Sequence, residues 1–295
     1  MKKSYFKYLL SLLLFGSNGL IASRIALSSS EIVLLRTMFG TLLLLGIFVF
    51  SRKKFTFLKH KRQFACLAIS GIATGLSWIF LYEAYNQIGV STASLLYYCG
   101  PVIVMVLSPL LFKEHLTLVK VTGALSVLLG IFLVNGHALQ GGKTGFGLFL
   151  GVMSAIMYAI MIIFNKKAIQ ITGMENSLLQ LAISFLTVAV FVGLKQGYHI
   201  SIALSDWTPI LVLGLLNTGI GCYLYFSSIG NLPVQTVSTC GYLEPLSAVL
   251  FSVLFLNEAM NLQQALGAVL VIGGAVFSEI PLRIHLHKEK RYLPG

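Results

Sequence analysis

The sequence predicts an all-α integral membrane fold, with ten transmembrane helices arranged as two inverted five-helix repeats. Three observations carry that expectation. First, 57% of the 295 residues are hydrophobic and only 10% are charged, where a soluble domain carries about 25% charged residues. Mean hydropathy is correspondingly high, +0.88. Second, the apolar residues fall into runs close to the ~20 residues that cross a bilayer. Third, the second half of the chain repeats the first at a nearly constant offset.

The runs cover 8–27, 31–50, 64–85, 90–112, 117–134, 146–165, 176–194, 207–228, 234–256 and 261–280. The first follows Lys2, Lys3 and Lys7 and ends in small residues, as a signal peptide would. It is read as a retained span, because another apolar run follows at once and a counterpart recurs later. Thr117, Asp206 and Asn261 stand where they would cap the starts of the fifth, eighth and tenth helices. The connections with some length are 51–63 and 135–145.

Charge sets the orientation. The formal charge is +12, from 21 Lys and Arg against 9 Asp and Glu. With the N-terminus inside, only Arg24, Arg36, Lys143 and Lys195 of those 21 bases fall away from the cytoplasmic side. An odd number of spans would carry the basic tail "RIHLHKEKR" outside and weaken the bias. The expectation is therefore a multi-pass protein of the cytoplasmic membrane with both termini and 51–63 inside and 135–145 outside. The bases occur in short blocks between apolar runs, which argues for lipid orientation and against nucleic acid. Cys66, Cys99, Cys222 and Cys240 form no CxxC pair. The six histidines avoid the spans, and His285-x-His287 reads as part of a solvated basic tail. No metal and no cofactor is expected.

The repeat is clearest between "YYCGPVIVMVLSPLLFKEHLTLVKVTGALSVLLG" and "GYLEPLSAVLFSVLFLNEAMNLQQALGAVLVIGG". At an offset of 144, Val90, Tyr98, Pro101, Glu114, Leu118, Gly123 and Gly130 match Val234, Tyr242, Pro245, Glu258, Leu262, Gly267 and Gly274. At 142, "FGSNGLIASR" (15–24) matches "MYAIMIIFNK" (157–166) more weakly. The halves are 1–140 (spans 1–5) and 141–295 (spans 6–10 and the basic tail). Five spans per half is an odd number, so the second half enters the membrane from the other side, an arrangement frequent among secondary transporters.

With these residues in view, the chain resembles the drug/metabolite transporter superfamily, in its EamA branch. The resemblance rests on "LLLFGSNGLIASRIAL", "EIVLLRTMFGTLLLL", the Pro–Glu–Gly run 101–130, and "YLEPLSAVLFSVLFLNE" followed by Gly267 and Gly274. It implies a ten-helix transporter, often an exporter of amino acids or other small metabolites. The chain departs from the family pattern at Phe15, where a tryptophan is usual.

The residues that could carry chemistry are few. Glu244 lies near the centre of span 9, where a carboxylate facing lipid costs several kcal/mol. Pro245 follows it and disfavours helical geometry at Glu244. Three roles are open to it: proton coupling, contact with a substrate amine, or a structural hydrogen bond. Arg36 is the deeper of two intramembrane arginines. It either snorkels outward, binds a substrate carboxylate, or pairs with Glu31 or Glu83; the same readings apply to Arg24. Trp78, Tyr82 and Tyr85 share one face of span 3, as a cavity wall or an interfacial belt. Tyr97, Tyr98 and Tyr242 lie nearer mid-span, where a phenol needs a partner. Ser17, Asn18 and Asn217 are neutral polar groups at similar depth, either ligands or interhelical glue. The site expected to bind substrate is therefore Glu244, Tyr98, Tyr242, Arg36, Trp78, Tyr82, Asn18 and Asn217, with Glu244 as the coupling candidate. Glu114 and Glu258 read as structural groups ordering the turns after spans 4 and 9. Gly71/Gly75 and Gly147/Gly151 read as packing motifs within the bundle and only weakly as a homodimer face.

These features point to a secondary transporter of a small organic metabolite, an amino acid or related solute, working by alternating access, with Glu244 as the candidate for proton coupling and export as the family direction. The chain's partners are then its small-molecule substrate and membrane lipids. A lipid or lipid-linked sugar translocator of the same superfamily is the alternative. An intramembrane enzyme is remote, because the spans hold no HExxH, no aspartate pair and no histidine. There is no phosphate-binding loop to supply energy from ATP.

Overall fold

The computed structural model describes residues 2–52, 54–88, 90–114, 117–135, 145–198, 200–256 and 262–279. These residues are helical nearly throughout. The helices are α1 (Lys2–Gly16), α2 (Asn18–Ala22), α3 (Ser29–Phe50), α4 (Lys61–Ile88), α5 (Val90–Tyr97), α6 (Gly100–Phe112), α7 (Leu118–Asn135), α8 (Gly145–Lys167), α9 (Gly173–Lys195), α10 (Trp207–Leu211), a π-helical segment (Val212–Ile220), α11 (Gly221–Ile229), α12 (Val234–Cys240), α13 (Leu243–Leu256) and α14 (Leu262–Glu279).

Six of the described helical stretches are long and apolar enough to cross a membrane: Lys2–Ala22, Ser29–Phe50, Lys61–Ile88, Gly145–Lys167, Gly173–Lys195 and Leu204–Ile229. The expected spans 4 and 9 are not continuous helices. Span 4 is α5 and α6, broken at Tyr98–Cys99; span 9 is α12 and α13, broken at Gly241–Tyr242. Pro101 and Pro245 explain both breaks, because neither can donate the backbone bond that would join the half-helices. Span 1 also breaks, at Ser17, between α1 and α2. The run Gly16-Ser17-Asn18-Gly19 is poor in helix formers and weakens the helix at that point. Asn261, Glu258, the connection 136–144 and the tail with His285 and His287 lie outside the described residues.

Capping follows expectation once and departs from it once. The Thr117 hydroxyl accepts the Lys120 amide at 3.4 Å. Asp206 does not cap α10; its carboxylate instead accepts the Ala26 amide at 3.1 Å, 180 positions earlier. An unexpected capping box, Ser28 with Glu31, starts α3.

The repeat is visible as a helix crossing. α7 and α14 pack against one another along their length. A Cβ on Gly130 would come within 2.6 Å of the Gly267 carbonyl, and one on Gly274 within 2.6 Å of the Gly123 carbonyl. Those contacts are the same contact twice, since Gly123 and Gly130 are the repeat mates of Gly267 and Gly274. Between them the Ser126 hydroxyl donates to the carbonyl of its own mate, Leu270, at 3.1 Å. Rising numbers on one helix meet falling numbers on the other, so the two helices run antiparallel about a local two-fold axis. The Gly71/Gly75 pair packs inside the bundle: the Ser184 hydroxyl of α9 donates to the Gly71 carbonyl at 2.9 Å.

Contacts between connections define two ends of the bundle. At the end where α1 begins, Glu175 accepts the Thr56 and Phe57 amides and the Thr56 hydroxyl at 2.6, 2.9 and 2.7 Å. Glu114 there accepts the Val234 and Gln235 amides at 2.7 and 3.2 Å. At the opposite end, Asp206 meets Ala26 and the Ser30 hydroxyl donates to Gln196 at 3.3 Å. Lys195 pairs there with Glu83 at 2.6 Å. The two ends are not packed alike. At the first, α6 packs against α12; at the other, no comparable contact joins α5 to α13 among the described residues. The bundle is closed at the first end and open at the second.

Candidate functional site

A cavity of about 520 Å3 enters from the open end and stops at mid-depth, a volume within the range of small-molecule sites. Asn18, Ala22, Ser23, Leu27, Ser29 and Ile32 line its mouth, from α2, the connection after it and the start of α3. Trp78, Tyr82 and Tyr85 of α4 form one wall, and Tyr97 and Tyr98 another. The floor is Phe15, Tyr158, Met161, Tyr225 and Glu244.

Glu244 and Arg36 are the charged groups among the lining residues. Glu244 sits in the first turn of α13, directly after the break in span 9. Its carboxylate makes no hydrogen bond or ion pair among the described residues; its backbone amide bonds Gly241 O at 3.2 Å and its carbonyl accepts the Ser247 hydroxyl at 2.8 Å. The carboxylate therefore faces the cavity rather than a protein partner.

Arg36 does not snorkel. It is 5% exposed. Its Nε donates to Thr218 Oγ1 at 3.2 Å and its Nη1 to the Tyr82 hydroxyl at 3.4 Å, while the guanidinium lies 4.7 Å from the centre of the Trp78 ring. Neither acid expected beside it is available: Glu31 closes the capping box at Ser28 and Glu83 pairs with Lys195. A guanidinium has five N–H donors, so those not used on Thr218 and Tyr82 remain for an anionic group in the cavity.

The π-helical segment sets this geometry. Its wider turn lets Thr218 donate to Leu213 O, five residues back, at 2.8 Å while accepting from Arg36. One residue earlier, the Asn217 amide donates to Leu14 O, Ser17 Oγ and Asn18 Oδ1 at 2.9, 2.8 and 2.9 Å. Asn217 thus holds the break in span 1. It is 1% exposed and does not line the cavity, so in this state it acts as interhelical glue, the second of the two readings the sequence allowed. Tyr242 likewise does not line the cavity in this state. It is also 1% exposed and packs with Val127, Leu246 and Val271, against α7 and α14. Helical spacing gave its depth but not its side, and at the break in span 9 the ring turns away from the cavity that its repeat mate Tyr98 lines. Of the expected site, the structure brings together Glu244, Arg36, Trp78, Tyr82, Tyr98 and Asn18.

Several lining residues were not in the site expected from the sequence. Tyr158 and Tyr225 meet hydroxyl to hydroxyl at 3.4 Å on the floor, and Tyr158 packs edge-on against Tyr97 at 5.2 Å. Phe15 lines the cavity and packs on Tyr225 at 5.8 Å. A mid-span phenol needing a partner was the available clue for the two tyrosines.

The two halves differ at two matched pairs of positions that meet around the cavity floor. Gly100 is the mate of Glu244, and a Cβ there would meet Tyr158 at 2.7 Å. Gly16 is the mate of Tyr158, and it lets α1 lie so close to α13 that a Cβ would strike Ser247 at its hydroxyl. Small and large residues are exchanged between the halves: Gly100 beside Tyr158, Gly16 beside the turn that carries Glu244. The glycine at 16 lets α1 close onto the turn that carries the acid, and the ring at 158 packs over Gly100 at the matching place in the other half.

Two stretches of the chain, 2–136 and 145–279, match the EamA-like transporter family. An uncharacterized transporter of Bacillus subtilis, YxxF, is 25% identical over 271 residues, covering 91% of this chain and 86% of that protein. An uncharacterized inner membrane transporter of Salmonella typhimurium, YicL, is 25% identical over 298 residues, covering 96% and 97%. A solved crystal structure superposes with a TM-score of 0.80 over 95% of this chain and 99% of the other, at 18% identity, which is a likeness of fold.

Proposed function

We propose that this chain, which belongs to the EamA-like transporter family, carries a small organic solute bearing both an amine and a carboxylate, an amino acid or close relative, by alternating access across ten spans. The observation that carries the reading is the pair of opposite charges in one cavity. An unpartnered carboxylate, Glu244, and a guanidinium with unused donors, Arg36, line a space otherwise walled largely by aromatic and small residues. A zwitterion answers both charges with charge-assisted hydrogen bonds, and the rings suit an apolar or aromatic side chain. The basic blocks support placing the closed end in the cytoplasm, so that the cavity opens outward. Net export is the direction that the family resemblance implies.

Counterflow in proteoliposomes tests the reading. Vesicles preloaded with unlabelled amino acid should accumulate labelled amino acid transiently, with saturation. A lipid translocator would move fluorescent lipid between leaflets and leave amino acids in place. An absence of saturable exchange with any amino acid removes the zwitterion proposal.

Two further outcomes follow. Single cysteines at Lys54 and Ser201 should label with an impermeant maleimide from opposite sides of the membrane, Lys54 from the cytoplasm. Labelling of both from outside overturns the assigned orientation. Arg36→Lys keeps the charge but loses the planar fork that spans Thr218, Tyr82 and a substrate carboxylate. The half-saturation concentration should rise about ten-fold, the scale of one charge-assisted bond. Unchanged kinetics in Arg36→Lys would remove Arg36 from substrate contact.

A further inference from the structure

The closed end of the bundle is fastened by a cation, and the repeat places an equivalent cation at the open end. At the closed end the Lys166 ammonium donates to Ile229 O at 3.2 Å and to Leu232 O. These carbonyls belong to the last turn of α11 and the turn after it, where a helix leaves its acceptors unsatisfied and favours positive charge. The bond ties α8 to the chain that leads into α12, the half-helix that α6 packs against.

The repeat mate of Lys166 is Arg24, just after α2. The mates of Ile229 and Leu232 are Tyr85 and Ile88, in the last turn of α4. Arg24 is exposed and its guanidinium has no hydrogen bond or ion pair among the described residues. Its neighbour Ser23 and the ring of Tyr85 line the same cavity mouth. The components of a second latch therefore stand at the open end with the bond unmade.

We infer that Arg24 closes the outer mouth in the opposite state of the transport cycle, its guanidinium donating to the Tyr85 and Ile88 carbonyls as Lys166 does to Ile229 and Leu232. The inference rests on the alternating-access reading above. It assigns to Arg24 a positioning role: it touches no substrate and sets which end is open. The two latches oppose one another, since making one accompanies breaking the other, and a change in either shifts the balance between the two states.

The test reads that balance directly. Ser94 of α5 lines the open cavity; its mate Ser238 of α12 is buried at the closed end and becomes accessible only when that end opens. With Cys66, Cys99, Cys222 and Cys240 replaced by alanine, Ser238→Cys is labelled by an impermeant maleimide in inside-out vesicles. Arg24→Ala should slow that labelling about ten-fold, the effect of losing one charge-assisted hydrogen bond from the inward-open state. Arg24→Lys should restore it to within about two-fold of the parent, because lysine already makes this bond at the other end. Lys166→Ala should accelerate it. Parental labelling in Arg24→Ala, together with acceleration in Lys166→Ala, overturns the outer latch and leaves alternating access standing. Equal failure of Arg24→Lys and Arg24→Ala also overturns it. No response to Lys166→Ala removes the alternating-access reading and the latch with it.

Discussion

Glu244→Gln should abolish concentrative transport while leaving the protein folded and able to exchange substrate. The glutamine fits the same space at the start of α13, keeps a polar face toward the cavity, and cannot gain or lose a proton. In the coupling role, a proton taken from one side and released on the other is what drives the solute uphill. The expected loss is therefore in accumulation against a gradient, at least about a hundred-fold for a step that fails outright, with counterflow retained and its pH dependence flattened. If the carboxylate instead holds the substrate amine, counterflow itself collapses, because a buried ammonium loses its counter-ion. Transport driven normally by a proton gradient in a well-folded Glu244→Gln protein would rule out coupling at this position.

The second large effect is on stability. Gly130→Leu should cost about 3 kcal/mol or more, the upper range for overpacking a tight contact. Even the Cβ would sit 2.6 Å from the Gly267 carbonyl and 2.9 Å from the Val271 amide, both backbone atoms that cannot rotate aside. α7 and α14 would have to separate, and the Ser126–Leu270 bond at the local axis would go with them. Gly274→Leu should behave alike, since it makes the mirror contact on Gly123. Gly46→Leu is the control: a Cβ there meets nothing within 4 Å, so it should purify and melt like the parent. Monodispersity and thermal denaturation in detergent read all three. A Gly130→Leu protein as stable as Gly46→Leu would contradict the close crossing.

Much of this architecture was legible from residue types alone. A carboxylate in an apolar run cannot be accidental, so Glu244 stood out before any geometry was known. The proline at 245 pointed to a disturbed backbone beside Glu244, where span 9 breaks; that its mate Pro101 breaks span 4 in the same way was not anticipated. Helical spacing was enough to set Trp78, Tyr82 and Tyr85 on one wall. What depended on facing was not legible. Tyr98 and Tyr242 occupy matched positions, yet one lines the cavity and the other packs against α7 and α14. Asn217 read as a possible ligand, but the π-helical turn that carries it aims its amide at the broken end of α1. A π turn leaves no compositional mark, because it changes the hydrogen-bond register and not the residues. Asp206 looked like a local cap and acts across 180 positions instead, a partnership that sequence proximity hides.

The exchange of Gly100 and Tyr158 for Glu244 and Gly16 bears on the arithmetic of the transport cycle. A duplicated five-helix unit with identical halves would present two acids, one on each side of the pseudo-axis, and could carry two protons through the membrane per solute. Here the ring of Tyr158 occupies the place where a second carboxylate would stand. Among the described lining residues a single acid remains. In the coupling role, that acid limits the stoichiometry to one proton per solute, and the gradient the carrier can sustain is bounded by a single proton's worth of driving force. If Glu244 has that coupling role, divergence at two pairs of positions sets the thermodynamic gearing of the carrier.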